Sequence, residues 1–216
     1  MTKLGLAWTS LITAAALSLV AALPAGADEQ APYRVRGTLE AVESDKLTVA
    51  TREGETIEVT VTDDTGVMVV RPASLDDIKQ GDYVGLTSIE SGDQRVAISA
   101  HIFAEELRGT AEGHGPWDLV KEPNTMTNAT VAQIKEVGDQ RELKVSYQEG
   151  QGEQKAEGSQ TIYVPEELSV VRMEKAGDRA VLAPGKDAFL VVREEAEGGR
   201  TALAVIVGEE GAAPPM

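Results

Sequence analysis

The sequence of 216 residues contains no cysteine, and aromatic residues make up only 4% of it. Without cysteine the chain cannot form disulfides, cannot carry the acylated cysteine of a lipoprotein, and offers no thiolate to a metal or a substrate. The strands predicted below are poor in the aromatic rings on which bases and sugars stack. Thiol chemistry is therefore excluded, and recognition by stacking is disfavoured.

Positive charge is also scarce, since 20 Lys and Arg residues stand against 36 Asp and Glu residues and the formal net charge is −16. Loss of Lys3 with a cleaved leader would make the charge still more negative. Such a surface repels phosphate backbones and anionic lipid, so we expect no nucleic-acid partner. The acidity is compatible with attraction of cations or of a basic partner, and it also favours solubility by itself.

Only one long apolar run is present. It lies at 11–23, after Lys3 and before the small residues 25–27, which gives the three parts of a secretory signal peptide in order. We expect cleavage after Ala27 and a periplasmic protein with no membrane span after cleavage. An uncleaved anchor is the alternative, because residues 4–23 carry no charge and are just long enough to cross a bilayer.

From residue 33 onward the apolar residues recur mostly with period two, which predicts short antiparallel strands and an all-β fold. Between the third and fourth strands, Ser74 and Asp77 can cap one short helix that ends at Gly81. Val42 is out of phase with the alternation before it, as in a β-bulge. The strands of the first unit are expected at 34–43, 46–51, 56–62, 83–88 and 95–103, with a short extended piece at 67–70.

Five strands with a helix between the third and fourth are typical of an OB-type Greek-key barrel. The second half of the chain repeats this pattern and has its own short helix at 178–183. The sequence therefore predicts two tandem OB-like five-stranded Greek-key barrels, each with one short helix between strands 3 and 4. The repeat aligns 38–42 with 130–134, 47–49 with 143–145, 69–71 with 170–172, 82–86 with 187–191, and 95–98 with 200–203.

The domain organisation that follows has a connector between the two repeats. Into this connector and its edges fall both histidines and the only tryptophan outside the leader. The predicted segments are a signal peptide at 1–27, a flexible N-terminus at 28–32, a first OB-like domain at 33–103, a junction segment at 104–127, a second OB-like domain at 128–207 and a disordered tail at 208–216.

His101 is the first candidate site residue. The repeat aligns it with Ile206, and strand alternation places it with Phe103 on the face opposite the apolar residues of its strand. Imidazole is a good hydrogen-bonding group at an interface, so one interpretation is that His101 only holds the two units together. The other interpretation is a metal ligand.

His114 lies in a turn-rich run that could fold back over the first barrel and approach His101. Met126, Asp118 or Glu105 would then complete a site suited to copper or zinc. The spacing of the histidines has no geometric signature of a metal site, and binding without any cofactor is the simpler expectation.

Trp117 is expected to plug the junction against a barrel, and together with Phe103 it forms the candidate partner contact. No nucleophile motif, phosphate-binding loop or calcium loop is present. We therefore predict that the protein is not an enzyme.

The chain resembles a group of exported α-proteobacterial proteins of unknown function with repeated OB-like domains, some of which carry the label "metal ABC transporter permease". The resemblance implies a connection with metal and supplies no catalytic residues, and permease activity would require a transmembrane bundle that this sequence lacks. It extends over essentially the whole mature chain. Its residues are VRGT at 35–38, ASLDDIKQGDYV at 73–84, HIF at 101–103, RGT at 108–110, EGH at 112–114, PWD at 116–118 and TMTNATV at 125–131.

Together these observations predict a non-enzymatic periplasmic binding or accessory protein whose junction is the contact surface. The alternative is a periplasmic carrier or buffer of copper or zinc that uses His101 and His114.

Overall fold

A computed structural model describes residues 31–150, 155–196 and 198–214. The predicted signal peptide lies outside the described residues, as do residues 28–30. The prediction of an all-β fold is confirmed. The strands are β1 (Tyr33–Val42), β2 (Lys46–Thr51), β3 (Thr56–Thr60), β4 (Gly66–Ala73), β5 (Tyr83–Ser91), β6 (Gln94–Phe103), β7 (Gly113–Trp117), β8 (Asn124–Val137), β9 (Gln140–Glu149), β10 (Ala156–Pro165), β11 (Val170–Lys175), β12 (Asp187–Glu194) and β13 (Arg200–Gly208).

The strands form one 13-stranded sheet in the order β10-β9-β8-β5-β6-β11-β4-β13-β12-β1-β2-β3, with β7 attached to β8. Two further parallel pairings, of β3 with β13 and of β6 with β10, close the sheet on itself at both ends. One closure gives a terminal ring of β1, β2, β3, β13 and β12. The other gives a central ring of β5, β6, β10, β9 and β8.

The central ring is continuous in sequence, whereas the terminal ring combines strands from both ends of the chain. The tandem arrangement is therefore not confirmed, because the first three strands of each repeat close a ring with the last two strands of the other repeat. The strand β4, expected only as a short extended piece at 67–70, spans Gly66–Ala73, and β4 and β11 carry the chain between the rings and pair with each other. If the two predicted repeats are alike in sequence, a strand can make nearly the same contacts with a partner from its own repeat or from the other repeat, as in domain swapping. The repeat pattern in the sequence therefore does not show which of the two pairings forms.

Each ring encloses its own apolar core. Leu39, Val49 and Leu190 are fully buried in the terminal ring, and Leu86 and Leu143 are fully buried in the central ring. A third cluster lies between the rings and combines β4, β11 and the outward faces of β5, β6, β12 and β13. Its members are Val70, Tyr83, Phe103, Leu107, Val171, Met173, Phe189 and Ile206, with Met68, Trp117, Val191 and Ala212 packed against them.

The short helices are single 3₁₀ turns at Leu75–Asp77, Glu105–Leu107 and Arg179–Val181. The predicted helix ending at Gly81 is only the first of these turns, in which Asp77 Oδ2 accepts hydrogen bonds from the Ser74 backbone N–H and from its hydroxyl, both at 2.8 Å. The expected bulge in the first strand is present as a register shift between Leu39 and Ala41. Each of these turns is only three residues long and joins two consecutive strands.

The segment after β13 packs against the body as far as residue 214, which differs from the predicted disordered tail. The backbone N–H of Glu209 donates to the carbonyl of Val70 at 2.9 Å, and Arg71 forms ion pairs with Glu209 and Glu174. These contacts lie beside the β4–β11 pairing, where Arg71 and Arg172 stand opposite each other. Carboxylates at this point offset the repulsion of two facing guanidinium groups.

No helix in the described ranges is both long and apolar enough to span a bilayer.

Candidate functional site

The predicted junction is part of the central ring, where it connects β6 to β8. Its middle forms β7, which pairs antiparallel with the first half of β8 from Gly113 opposite Asn128 to Trp117 opposite Asn124. The composition GHGPW is unfavourable for a strand, so β7 depends on side chains of β8 to hold it. Asn128 and Asn124 lie at its two ends and supply that support.

Both asparagines are buried and bind the loops that flank β7. Asn128 Nδ2 donates to the carbonyl of Ala111 at 3.1 Å, beside a hydrogen bond from Tyr83 Oη to the carbonyl of Thr110 at 3.0 Å. At the other end Asn124 Nδ2 donates to the carbonyls of Val120 and Glu122. These bonds fix the positions at which the chain enters and leaves β7.

Among the strands that the structure describes, β7 is the one with a single neighbour, because every other strand pairs on both sides. A groove of about 540 Å³ runs along it and is lined by all of its residues, by the preceding Ala111 and Glu112, by Arg34, Met126 and Asn128, and by 148–150 at the end of β9. Gly113 and Gly115 have no side chains on this wall. No described atom lies within 4 Å of the point where either Cβ would be, so the space beside them is open. The groove therefore follows an unpaired strand edge.

His114 is half-buried and held on the wall of this groove. Its Nδ1 lies 2.8 Å from Thr127 Oγ1, and its ring stacks on Tyr147 with the centroids 6.1 Å apart. Burial and then the positive charge of Arg95 lower the pKa of His114, while the charge of Glu149 opposes them. Thr127 is fully buried, so this hydrogen bond orients the ring and does not activate an exposed nucleophile.

Trp117 connects β7 to the terminal ring. The guanidinium of Arg34 lies 3.8 Å from the centre of the indole, and the ring of Phe189 lies 6.3 Å from it. The next residue, Asp118, pairs with Arg36 at 2.7 Å and with Arg34 at 3.4 Å. Burial opposes ionisation of Asp118, but the two arginines outweigh it and lower its pKa. These contacts join Trp117 to strands β1 and β12 of the terminal ring.

His101 is 2% exposed and lies in β6 on the face toward the third cluster, where its ring makes an edge contact with Phe103 at 4.6 Å. It occupies the space above Gly85 of β5. A Cβ at Gly85 would overlap the imidazole and would lie 2.7 Å from Asn128 Oδ1. Burial lowers the pKa of His101 to about 4, so the ring is neutral at pH 7. Neither its Nδ1 nor Asn128 Oδ1 has a hydrogen-bond partner among the described residues.

The terminal ring holds an apolar version of the same arrangement. His101 pairs with Gly85, whereas Ile206, its counterpart in the repeat, pairs with Phe189. An imidazole therefore stands where the terminal ring has an aliphatic side chain, and on the neighbouring strand glycine stands where the terminal ring has an aromatic side chain. The alignment of the repeats placed Gly85 against Leu190, whereas the structure makes Phe189 its equivalent, one residue earlier. The alignment therefore did not reveal that glycine takes the place of an aromatic residue.

The structure does not bring the candidate metal ligands together. His101 points to the third cluster, whereas His114 contacts Tyr147 in the core of the central ring, and β8 and β5 lie between their strands. No group of three or more His, Cys, Asp or Glu side chains within the described ranges is arranged to hold a metal ion. Met126 is buried, and its sulfur accepts a hydrogen bond from Thr87.

The remaining candidates are also engaged elsewhere. Asp118 pairs with the arginines of β1, Glu105 pairs with Arg108 at 2.7 Å, and Phe103 is only 6% exposed. Phe103 therefore packs within the third cluster, between the two rings. Sequence reasoning missed Asn124 and Asn128, which position the groove, and Gly115, which opens it. The only signal in the sequence that could have found them is the glycine-rich run of β7, which contains Gly115 and pairs with the two asparagines.

Comparison of the chain with protein-family models, with curated proteins and with solved structures gave no match.

Proposed function

We propose that this chain is an exported, non-enzymatic binding protein of the periplasm that holds its partner in the groove along β7. The observation that carries the proposal is the free edge of β7, which alone among the described strands lacks a second neighbour and is lined along its whole length by open space. Edges of this kind are places where other chains bind. The signal-peptide pattern of the first 27 residues supports export.

We also propose that each ring is an OB-type barrel assembled from strands of both repeats. The five-strand order with a parallel closing pair supports this assignment, and such barrels often carry binding sites on connecting loops and strand faces. The segment between β6 and β8 belongs to this class of connection. The rings would then be the scaffold and β7 the binding element.

A binding role is favoured over catalysis by the environment of His114. Its hydroxyl partner is buried, and among the described residues no carboxylate is hydrogen-bonded to its ring. A copper or zinc carrier that uses both histidines gains no support from their positions, because they belong to different cores.

The test is a pair of matched glycine variants. Gly115 lines the groove, whereas Gly177 lies in an exposed turn far along the chain. Neither has a positive backbone φ, and no described atom lies within 4 Å of its Cβ position, so a side chain can start at either position without backbone strain. We expect wild type and Gly177→Leu to recover the same partner from periplasmic extract, and Gly115→Leu to lose it. Recovery by all three proteins would place the binding site elsewhere.

A further inference from the structure

We propose that the partner is an extended peptide segment with basic side chains, which adds to the edge of β7 as a further antiparallel strand. This inference rests on the proposed function, because it names the class of partner for the same groove. Three features of the structure carry it: the direction of the main-chain groups of β7, the open space beside them and the charge of the walls.

The main-chain direction follows from the neighbouring strand. Val131 of β8 directs its N–H and its C=O toward Asp82 and Gly81 on the β5 side, with both hydrogen bonds at 2.8 Å. Because main-chain groups alternate along an antiparallel strand, residues at odd positions of β8 face β5. Asn128 and Met126 consequently face β7.

Gly113 and Gly115 are opposite Asn128 and Met126, so their main-chain groups are used within the sheet. His114 and Pro116 then direct theirs outward. Proline has no N–H, and it is tolerated in a strand where its nitrogen faces away from the ladder. The position of Pro116 therefore agrees independently with the alternation.

The free edge offers one N–H and two carbonyls. His114 presents both a donor and an acceptor, which is the pair that one residue of an antiparallel strand satisfies, and the carbonyl of Pro116 accepts from the same strand two residues away. The flanking glycines contribute no side chains that would hold an incoming backbone at a distance. Strand addition of this kind takes its affinity from main-chain hydrogen bonds and its selectivity from side-chain contacts.

The charge of the walls selects basic side chains. Among the described residues that line the groove, Glu112 and Glu149 stand against the cation Arg34, and burial together with the neighbouring Arg95 lowers the pKa of His114 and so disfavours a positive charge there. The whole chain adds a net charge of −16, which attracts basic segments from a distance. Arg34 stacks on Trp117 at one end of β7, whereas Glu112 adjoins Gly113 at the other. In the antiparallel direction a lysine or arginine near the C-terminal part of the segment would meet Glu112.

The experiment measures binding of defined peptides by calorimetry. The probe is a capped eight-residue peptide of alternating valine and lysine. Two further copies carry N-methyl groups on one or the other alternate set of residues, and a fourth peptide has glutamate in place of lysine. Only one alternate set of N–H groups faces the partner in a β-pairing, so we expect one methylated copy to bind about tenfold more weakly or worse and the other to bind like the probe.

The protein variants provide the second arm. Gly115→Leu should weaken binding of the probe about tenfold or more, whereas Gly177→Leu should leave it unchanged. Glu112→Gln should weaken it as well, against Glu43→Gln on the exposed turn of the terminal ring as the control. In amide hydrogen exchange, the probe should slow exchange at His114 and leave Gly115 as it was.

Equal binding of both methylated copies would show that charge alone attracts the probe and would overturn strand addition. Absence of binding by the lysine peptide, or equal binding of the glutamate peptide, would overturn the proposed partner class. If the protein alone forms a concentration-dependent dimer that Gly115→Leu dissociates, the occupant is a second copy of the chain. None of these results alters the recovery experiment above, so the proposed function and this inference fail separately.

Discussion

At the scale of single residues, the contact between Gly85 and His101 shows how the central ring accommodates an imidazole on its outer face. The first prediction follows from it: Gly85→Ala should lower the free energy of unfolding by about 1–3 kcal/mol, because the new methyl group overlaps the ring. Gly66→Ala is the control, since its Cβ would meet nothing closer than 3.7 Å. Denaturant unfolding checks both, and equal stability of the two variants would contradict the packing described. Removal of the ring in Gly85→Ala/His101→Ala should make the two changes strongly non-additive.

Burial of His101 also makes stability depend on pH. Its pKa is lowered from an ordinary 6.5 to about 4 in the folded protein, so between these values the unfolded chain binds more protons than the folded one. Stability is then full above pH 6.5 and falls as the pH is lowered toward 4, by at most roughly 3 kcal/mol. We expect His101→Gln to flatten the pH dependence of unfolding across this window. His114→Gln should change it less, and an unchanged profile in His101→Gln would show that the ring is not the group responsible.

The separation of the two histidines predicts the outcome of a metal titration. Trp117 is the only tryptophan after the predicted leader, and it lines the groove. We expect micromolar copper or zinc to leave its emission unchanged, because His114 has one free ring nitrogen and no second histidine near it. If the emission does respond, and if His101→Gln and His114→Gln each abolish the response, the two histidines share a metal site.

The sequence indicated where the unusual residues lie, but not what each one touches. His101 was identified because an aliphatic residue takes its place in the repeat. Gly85 was not identified, since a glycine in a strand has many causes, and the relevant one is the ring directly opposite it on the neighbouring strand, 16 positions away in sequence. Phe103 was expected on the outer wall, and it is on that face, but the same face is covered by the second ring.

At the scale of elements, the strands of both repeats were predictable because one face of each is buried and period-two alternation records this. The strand β7 was not, since glycine and proline in GHGPW argue for a turn. It becomes a strand through tertiary contacts, above all the side chains of Asn124 and Asn128. Local propensity thus fails at the one strand that we propose to be functional.

A prediction tests this dependence. Asn124→Ala removes two hydrogen bonds to carbonyls after β7 and one accepted from the Leu119 N–H. We expect a loss of about 1–2 kcal/mol in the free energy of unfolding and faster amide exchange throughout β7. Val120→Ala in the same loop is the control, because its side chain is 40% exposed. Unchanged exchange in Asn124→Ala would mean that β7 is held by its backbone pairing alone.

At the scale of the whole molecule, composition and alternation give the fold class but not which strands close each ring. The two predicted repeats would offer each other's strands nearly the same partners, and β4 and β11 run extended between the rings. No local sequence pattern distinguishes an extended segment that crosses to the other ring from one that returns to its own ring.

The topology predicts which fragments fold. Residues 66–175 contain the whole central ring with β4 and β11, so we expect this fragment to unfold cooperatively and to show dispersed amide resonances. Residues 128–207, the unit that the repeat suggested as a domain, lack β5 and β6 and should remain largely unstructured. Circular dichroism and amide spectra separate the two, and a cooperatively folded 128–207 would contradict the exchange of strands.

The terminal ring has a consequence for the order of events during synthesis. Its first three strands leave the ribosome early, yet the strands that complete their sheet, β12 and β13, are the last to be made. Residues 33–60 must therefore wait with both sheet edges unsatisfied, at β1 and at β3, while the intervening 126 residues to Asp187 are added. The terminal ring therefore cannot close before translation is nearly over, whereas the central ring, whose last strand ends at Pro165, can close earlier.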